Sequence, residues 1–363
     1  MNLRVVLVLV SCLLSVVTGG VLARREVGAS QHSTAEADDG GRGVLPRRQR
    51  PLIGLSMDTL KEERWQVDKR LFIEQAGALG ADVIVQDANS SDSRQVQDVE
   101  VLLTKKVDAL VIIPHNGAAM AKAVQMAHEA GVPVLSYDRL ITGCDLDLYI
   151  TFDNVKVGEL QAQFIADRLP AVGKLRLLRI YGSKTDNNAF LFKQGQDNVL
   201  KPLIEAGKIE VVFEDWAEDW KPENAKKIAN AAITQGRGVN FDAVLASNDG
   251  TAGGAIQALI EENAAGRVIV TGQDADLAAC QRIVQGTQTM TVYKPIQKLA
   301  TGAAAAAVKL ATRRPLVARS EIDNGQVAVP SILLEIVAVT KENIDETVIA
   351  DGFRPKDEVY RKN

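Results

Sequence analysis

The sequence predicts an α/β protein built from two similar lobes, each a parallel sheet flanked by helices. Three observations predict it. Short apolar runs rich in Val, Ile and Leu recur along the chain, which is how strands buried on both faces of a parallel sheet read. Longer stretches with helical spacing separate them, giving a βαβ rhythm with right-handed crossovers. The rhythm occurs about ten times in 363 residues, more than one compact sheet ordinarily holds, so two lobes are the natural solution.

The chain opens with Met1-Asn2-Leu3-Arg4, an apolar run from Val5 to Val17, and a small-residue exit ending in Val21-Leu22-Ala23. A basic start, a short apolar core and small residues describe a secretory signal peptide over 1–23. The run is shorter than the about 20 residues a membrane span needs. Cleavage after Ala23 is the first expectation. Leu9-Val10-Ser11-Cys12 is the alternative, a lipoprotein-like box in which Cys12 becomes a lipidated first residue. Residues 24–50 are rich in Gly, Ser, Asp and Arg without apolar periodicity, so a disordered tether is expected. The cluster Arg47-Arg48-Gln49-Arg50 reads as part of that tether.

The folded part begins at Pro51. Its apolar runs are Leu52–Met57, Asp82–Val85, Ala109–Ile113, Val132–Tyr137 and Tyr149–Phe152, then Leu175–Ile180, Ile209–Phe213, Ala243–Ala246, Val268–Thr271 and Met290–Tyr293. Between them, stretches such as Val155–Leu169 place Val157, Leu160, Phe164, Ile165 and Leu169 on one helical face. The break between lobes is expected near Asp153-Asn154, and Thr287–Pro295 reads as a return crossing. The first lobe is therefore assigned 51–153 plus about 295–327, the second 154–294 plus about 328–363.

Composition narrows the function. The formal net charge of −4, without clustered Lys and Arg in the folded part, gives no reason to expect nucleic acid. Cys12, Cys144 and Cys280 form no CxxC, and His32, His115 and His128 form no HExxH, so no metal site is expected. Walker A, GxGxxG and GxSxG sequences are absent, which argues against an enzyme and against a cofactor.

Ligands of open α/β sheets bind beyond the carboxyl ends of the strands. The residues standing there are Asp58 with Glu63-Arg64-Trp65, Asp138-Arg139, Asp186-Asn187-Asn188, Trp216 and Trp220, Ser247-Asn248-Asp249, Gln273-Asp274 and Tyr293-Lys294. Hydrogen-bonding groups of both charges beside aromatic faces suit a polyhydroxyl ligand, whose hydroxyls both donate and accept. Taken singly, each has a plainer role: Asp186, Asn248 and Asp249 as helix caps, Arg64 as a surface ion-pair partner, Trp216 as core, Asp274 with Lys294 as a salt bridge. Their recurrence at one topological position is what favours a site.

Glu63-Arg64-Trp65-Gln66, Val111-Ile112-Ile113-Pro114 with Asn116-Gly117, and Tyr137-Asp138-Arg139 resemble the periplasmic D-xylose-binding proteins. So do Asp186-Asn187-Asn188-Ala189, Ala246-Ser247-Asn248-Asp249, Gly272-Gln273-Asp274-Ala275-Asp276 and Gly286 through Pro295. The similarity runs from about Leu52 to Phe353. It implies two Rossmann-like lobes joined by a three-strand hinge, the type I periplasmic binding protein fold. It implies a monomer that captures a monosaccharide, D-xylose first, by hinge closure outside the cytoplasm. Delivery would be to the permease of an ABC transporter, with contact to the membrane only there or through a lipid on Cys12. Other pentoses, hexoses such as glucose, and a sensory role for a membrane receptor stay open. By resemblance the hydrogen-bonding set is Arg64, Arg139, Asp186, Asn188, Asn248, Asp274 and Lys294, with Trp65 and Trp220 as the rings that sandwich the sugar. The sequence departs from the pattern at Lys61, His115, Cys144 and Gly182-Ser183-Lys184. A sugar-responsive repressor with this fold would need an N-terminal helix-turn-helix, and the chain begins with a leader instead.

Overall fold

The computed structural model describes residues 50–361. The expected leader with Cys12, and the tether up to Gln49, lie outside them. Among the described residues no helix is long and apolar enough to cross a membrane.

Ten strands fall on the ten expected runs. In the first lobe these are β1 (Leu52–Met57), β2 (Asp82–Asp87), β3 (Ala109–Ile112), β4 (Val134–Tyr137) and β5 (Leu148–Phe152). Helices α1 (Glu63–Ala78), α2 (Asp92–Thr104) and α3 (Ala121–Glu129) connect them. The chain then crosses at Asp153, whose carboxylate caps α4 (Asn154–Ala166) by accepting from the Lys156 N–H. The second lobe continues with β6 (Leu175–Tyr181), α5 (Asn187–Glu205), β7 (Ile209–Trp216), a 3₁₀ turn (Glu218–Trp220), α6 (Pro222–Gly236) and β8 (Ala243–Ala246). It is completed by α7 (Asp249–Glu261), β9 (Ile269–Val270), α8 (Leu277–Gln285) and β10 (Thr291–Tyr293). Helix α9 (Ile296–Ala311) returns to the first lobe. There its face of Leu299, Ala300, Ala303, Ala304 and Ala307 packs into one core cluster with Ile53, Leu55 and Phe72.

Three further strands were not among the expected runs: β11 (Ser320–Asp323), β12 (Ala328–Leu334) and β13 (Val337–Val339). β11 is a polar edge strand, β12 is interrupted by Pro330 and Ser331, and β13 is a short Val-Ala-Val strand of three residues. The first sheet has the order β11-β12-β5-β4-β3-β1-β2, and β12 runs parallel to β5 with Ser331 opposite Tyr149. The segment from about 328, expected in the second lobe, therefore stays in the first until Leu334. The sheet edge left open by β5 takes β12 before the chain crosses. The second sheet is β7-β6-β8-β9, all parallel. β10 pairs with β13 and lies beside the segment after β9, through Val292 N–H to Gly272 O (3.1 Å) and Asp274 N–H to Val292 O (2.8 Å). The chain thus passes between lobes three times, at 152–154, 293–296 and 334–337.

In the second lobe, α4 and α5 pack at backbone contact. A Cβ on Gly158 would lie 2.0 Å from Phe192 O, and one on Gly195 would lie 1.9 Å from Val155 O. Each lobe also buries a carboxyl. Burial pushes Asp68 up to about 6, against the pull of Arg64 and the Tyr137 hydroxyl. Burial likewise pushes Asp249 up to about 7, although Arg282 and the Gln288 amide favour its charge.

Two outcomes follow. Gly195→Ala forces two helices apart and should destabilise the protein by about 2 kcal/mol or more in urea unfolding; an unchanged midpoint would contradict the contact. Because Asp68 and Asp249 hold protons above the ordinary value of 3.8, the stability they confer is complete below that value and is lost as pH rises through about 6 and about 7. The melting temperature should therefore be higher at about pH 5 than at about pH 8. A scan showing the reverse would contradict the burial of these groups.

Candidate functional site

The carboxyl ends of both sets of strands face one cleft, and a narrow cavity of about 30 Å³ lies within it. All nine residues singled out in the sequence line it. The first lobe contributes Arg64 and Trp65 from the first turn of α1 and Arg139 from the loop after β4. The second contributes Asp186 and Asn188 from the start of α5, Trp220 from the 3₁₀ turn, Asn248 before α7 and Asp274 after β9. Lys294 follows β10 at the crossing. Trp216 does not line the cavity; it packs against Tyr181 and Phe190, with ring centroids 4.8 and 4.9 Å away.

The plainer roles and the site roles coincide in several side chains. Asp186 caps α5, accepting the Asn188 N–H at 2.9 Å. Its other oxygen meets Arg139 Nε (3.0 Å) and accepts from Trp220 Nε1 (3.1 Å). Asn248 closes a capping box with Thr251 through Oδ1, which leaves its amide nitrogen over as a donor. Asp274 and Lys294 do form an ion pair, at 2.9 Å, inside the cavity.

The charges are linked across the cleft. Arg64 donates to Asp138 of its own lobe (2.9 Å) and to Asp274 of the other (3.4 Å). Arg139 bridges Asp58 (2.6 Å) to Asp186. Asn188 Nδ2 reaches across to donate to Asp138 O (3.0 Å). The guanidinium of Arg64 lies 4.1 Å from the Trp65 ring centre, and that of Arg139 lies 5.3 Å from it. Burial raises the Asp138 carboxyl, but Arg64, Lys294 and Arg139 together outweigh it and hold the group below its usual value. For Asp186 burial wins over Arg139 and the cap, and its value is raised. Glu62 is raised by burial too.

Four lining residues were not in the predicted set: Glu62, Asp138, Phe192 and Gln273. Asp138 and Gln273 stood among the strand-end groups, and only the fold shows that they point inward. Glu62 Oε2 and Gln273 Oε1 are buried without a hydrogen-bond partner, so the cavity presents two acceptors awaiting a donor. Backbone conformation gives a signal invisible in sequence. Asp138, Trp220 and Asp274 all carry positive φ, at 62°, 57° and 99°. Such conformations are costly for residues with a Cβ and gather where a site needs a side chain aimed in one direction. Gly182 makes room for the Trp220 ring: a Cβ there would lie 1.9 Å from Trp220 Cη2. Among the described residues no group of His, Cys, Asp or Glu is arranged to hold a metal ion.

Residues 53–315 match the family described as periplasmic binding protein domain. A D-xylose-binding periplasmic protein of Haemophilus influenzae is 51% identical, with 85% of this chain and 92% of that protein covered. Its counterpart from Escherichia coli is 49% identical over the same shares. Among solved structures, a carbohydrate transporter solute-binding protein from Chloroflexus aurantiacus in complex with D-glucose superposes with a TM-score of 0.80 at 33% identity. That match covers 85% of this chain and 98% of that one. With a family match over most of its length and relatives this similar, the chain belongs to the periplasmic binding protein family.

Proposed function

We propose that this chain captures one monosaccharide, D-xylose, in the cleft outside the cytoplasm and presents it, as a closed monomer, to the permease of an ABC transporter. What carries the reading is the near-half identity to two D-xylose-binding relatives, in a chain whose nine expected contact residues line one cavity. The sugar lies with its apolar faces toward Trp65 and Trp220, and its hydroxyls exchange hydrogen bonds with the charged groups of both lobes.

The energetics are of the right size. Hydrogen bonds to charged groups contribute roughly 1.5–3 kcal/mol each. A few of them, with two aromatic contacts, reach the about −8 kcal/mol of micromolar binding after ordering costs. The unpartnered acceptors Glu62 Oε2 and Gln273 Oε1 suit hydroxyl donors. Closure follows because a ligand touching both lobes stabilises the closed form over the open one.

Trp220→Ala and Asp274→Ala should each weaken D-xylose binding at least about tenfold in calorimetry, a loss of about 1.4 kcal/mol or more. Near-wild-type affinity in both would contradict the assignment of the site. A thermal-shift panel of pentoses and hexoses should show its largest stabilisation with D-xylose. A larger shift with D-glucose would move the reading to the hexose, and no shift with any monosaccharide would overturn it.

A further inference from the structure

His115 stands in the loop after β3, where the sequence departs from the family pattern, and only 12% of its side chain is exposed. Its backbone N–H donates to Gln95 Oε1 (2.8 Å), which fixes the loop on α2. Both ring nitrogens face carboxylates. Nδ1 lies 2.9 Å from Asp58 Oδ1, and Nε2 lies 3.8 Å from Asp92 Oδ1 and 3.9 Å from Asp219 Oδ1. Asp58 Oδ1 and Asp92 Oδ1 are buried and have no other hydrogen-bond donor. A neutral imidazole carries one N–H and serves one side only; an imidazolium serves both.

Two links connect this ring to the cavity. Asp58 holds Arg139 through its second oxygen (2.6 Å), and Arg139 pairs across the cleft with Asp186 (3.0 Å), which accepts from Trp220. Asp219 belongs to the opposite lobe and immediately precedes Trp220. Its other oxygen meets Lys221 at 2.7 Å, and its N–H donates to Ser183 (3.3 Å). The charged groups around the imidazole are therefore Asp58, Asp92, Asp219 and the more distant Arg139, with Lys221 behind Asp219.

We propose that His115 is a positioning residue whose imidazolium holds Asp58 and Arg139 in place beside the ligand and ties the closed lobes together through Asp219, so that sugar affinity strengthens as pH falls. Asp58 and Asp92 travel with the histidine's own lobe; Asp219 does not. Opening removes the Asp219 carboxylate and admits water, so closure favours the charged ring and takes up a proton. The His115 value is raised in this closed form by the hydrogen bond to Asp58, with burial and Arg139 opposing and the charges of Asp58 and Asp92 adding.

The inference rests on the reading that a monosaccharide closes the lobes, and the test separates the two. Calorimetry with D-xylose between about pH 8.5 and about pH 6.5 should show affinity rising about threefold or more. The buried Asp249 and Asp68 also take up protons in or near this range, so the share of the slope due to His115 is the share that the variants remove. Asp219→Asn, which keeps the side-chain shape and suits the left-handed φ of 53° there, should flatten the slope. His115→Gln should flatten it as well. In the wild-type protein the imidazole signals in NMR should titrate at higher pH with D-xylose bound than without, a readout that needs no variant. Binding with no pH slope, a slope undiminished in Asp219→Asn, or an imidazole value unmoved by the sugar would overturn the role of His115. Absence of D-xylose binding at every pH would overturn the functional reading and this inference with it.

Discussion

A guanidinium taken out of water must find partners, and Arg64 finds them in two lobes at once. It is 3% exposed, and it meets Asp68 and Asp138 on its own side of the cleft and Asp274 on the other. Arg139 repeats the arrangement with Asp58 and Asp186. Desolvating such ions costs several kcal/mol each unless the pairing is good. The closed cleft is therefore stable only where charges from both lobes meet. Opening exposes these groups to water, which can serve them all. A ligand rich in hydroxyls extends the same network in the closed form, and the balance between the two states becomes the balance of those hydrogen bonds.

That constraint explains why the site sits on tense local structure. Asp138 has a left-handed backbone, and its carbonyl accepts from Tyr149 (2.9 Å), Thr151 (2.7 Å) and Asn188 (3.0 Å), which hold it there. Asp274 is anchored by its N–H to Val292 O, and Trp220 by the room that Gly182 leaves. Helix caps at Asp186 and Asn248 fix two more side chains without loop flexibility. The residues facing the cavity are thus fixed by the fold before any ligand arrives, which lowers the ordering cost of binding.

Much of this was legible in the sequence because buried parallel strands advertise themselves. Ten runs gave ten strands, and most of the groups just after them line the cavity, although Trp216 and Ser247 do not. What sequence could not supply follows from physics that leaves no periodic trace. β11, β12 and β13 are polar, proline-containing or three residues long, so the last crossing was placed too early. Asp138 stood in plain sight beside Arg139, but its inward direction depends on a φ of 62°. Glu62 precedes α1 and shows its role only through an oxygen left without a partner. His115 was visible as a departure from the family pattern. Its meaning required Asp58, Asp92 and Asp219, which three separate segments bring to one ring.

A crystal structure of the protein grown with D-xylose decides whether a sugar completes this charge network. One pyranose should lie between the lobes, with its hydroxyls on Arg64, Arg139, Asn188, Asn248, Asp274 and Lys294 and its faces toward Trp65 and Trp220. Closed lobes holding only their own ion pairs, or a sugar bound away from these residues, would contradict it.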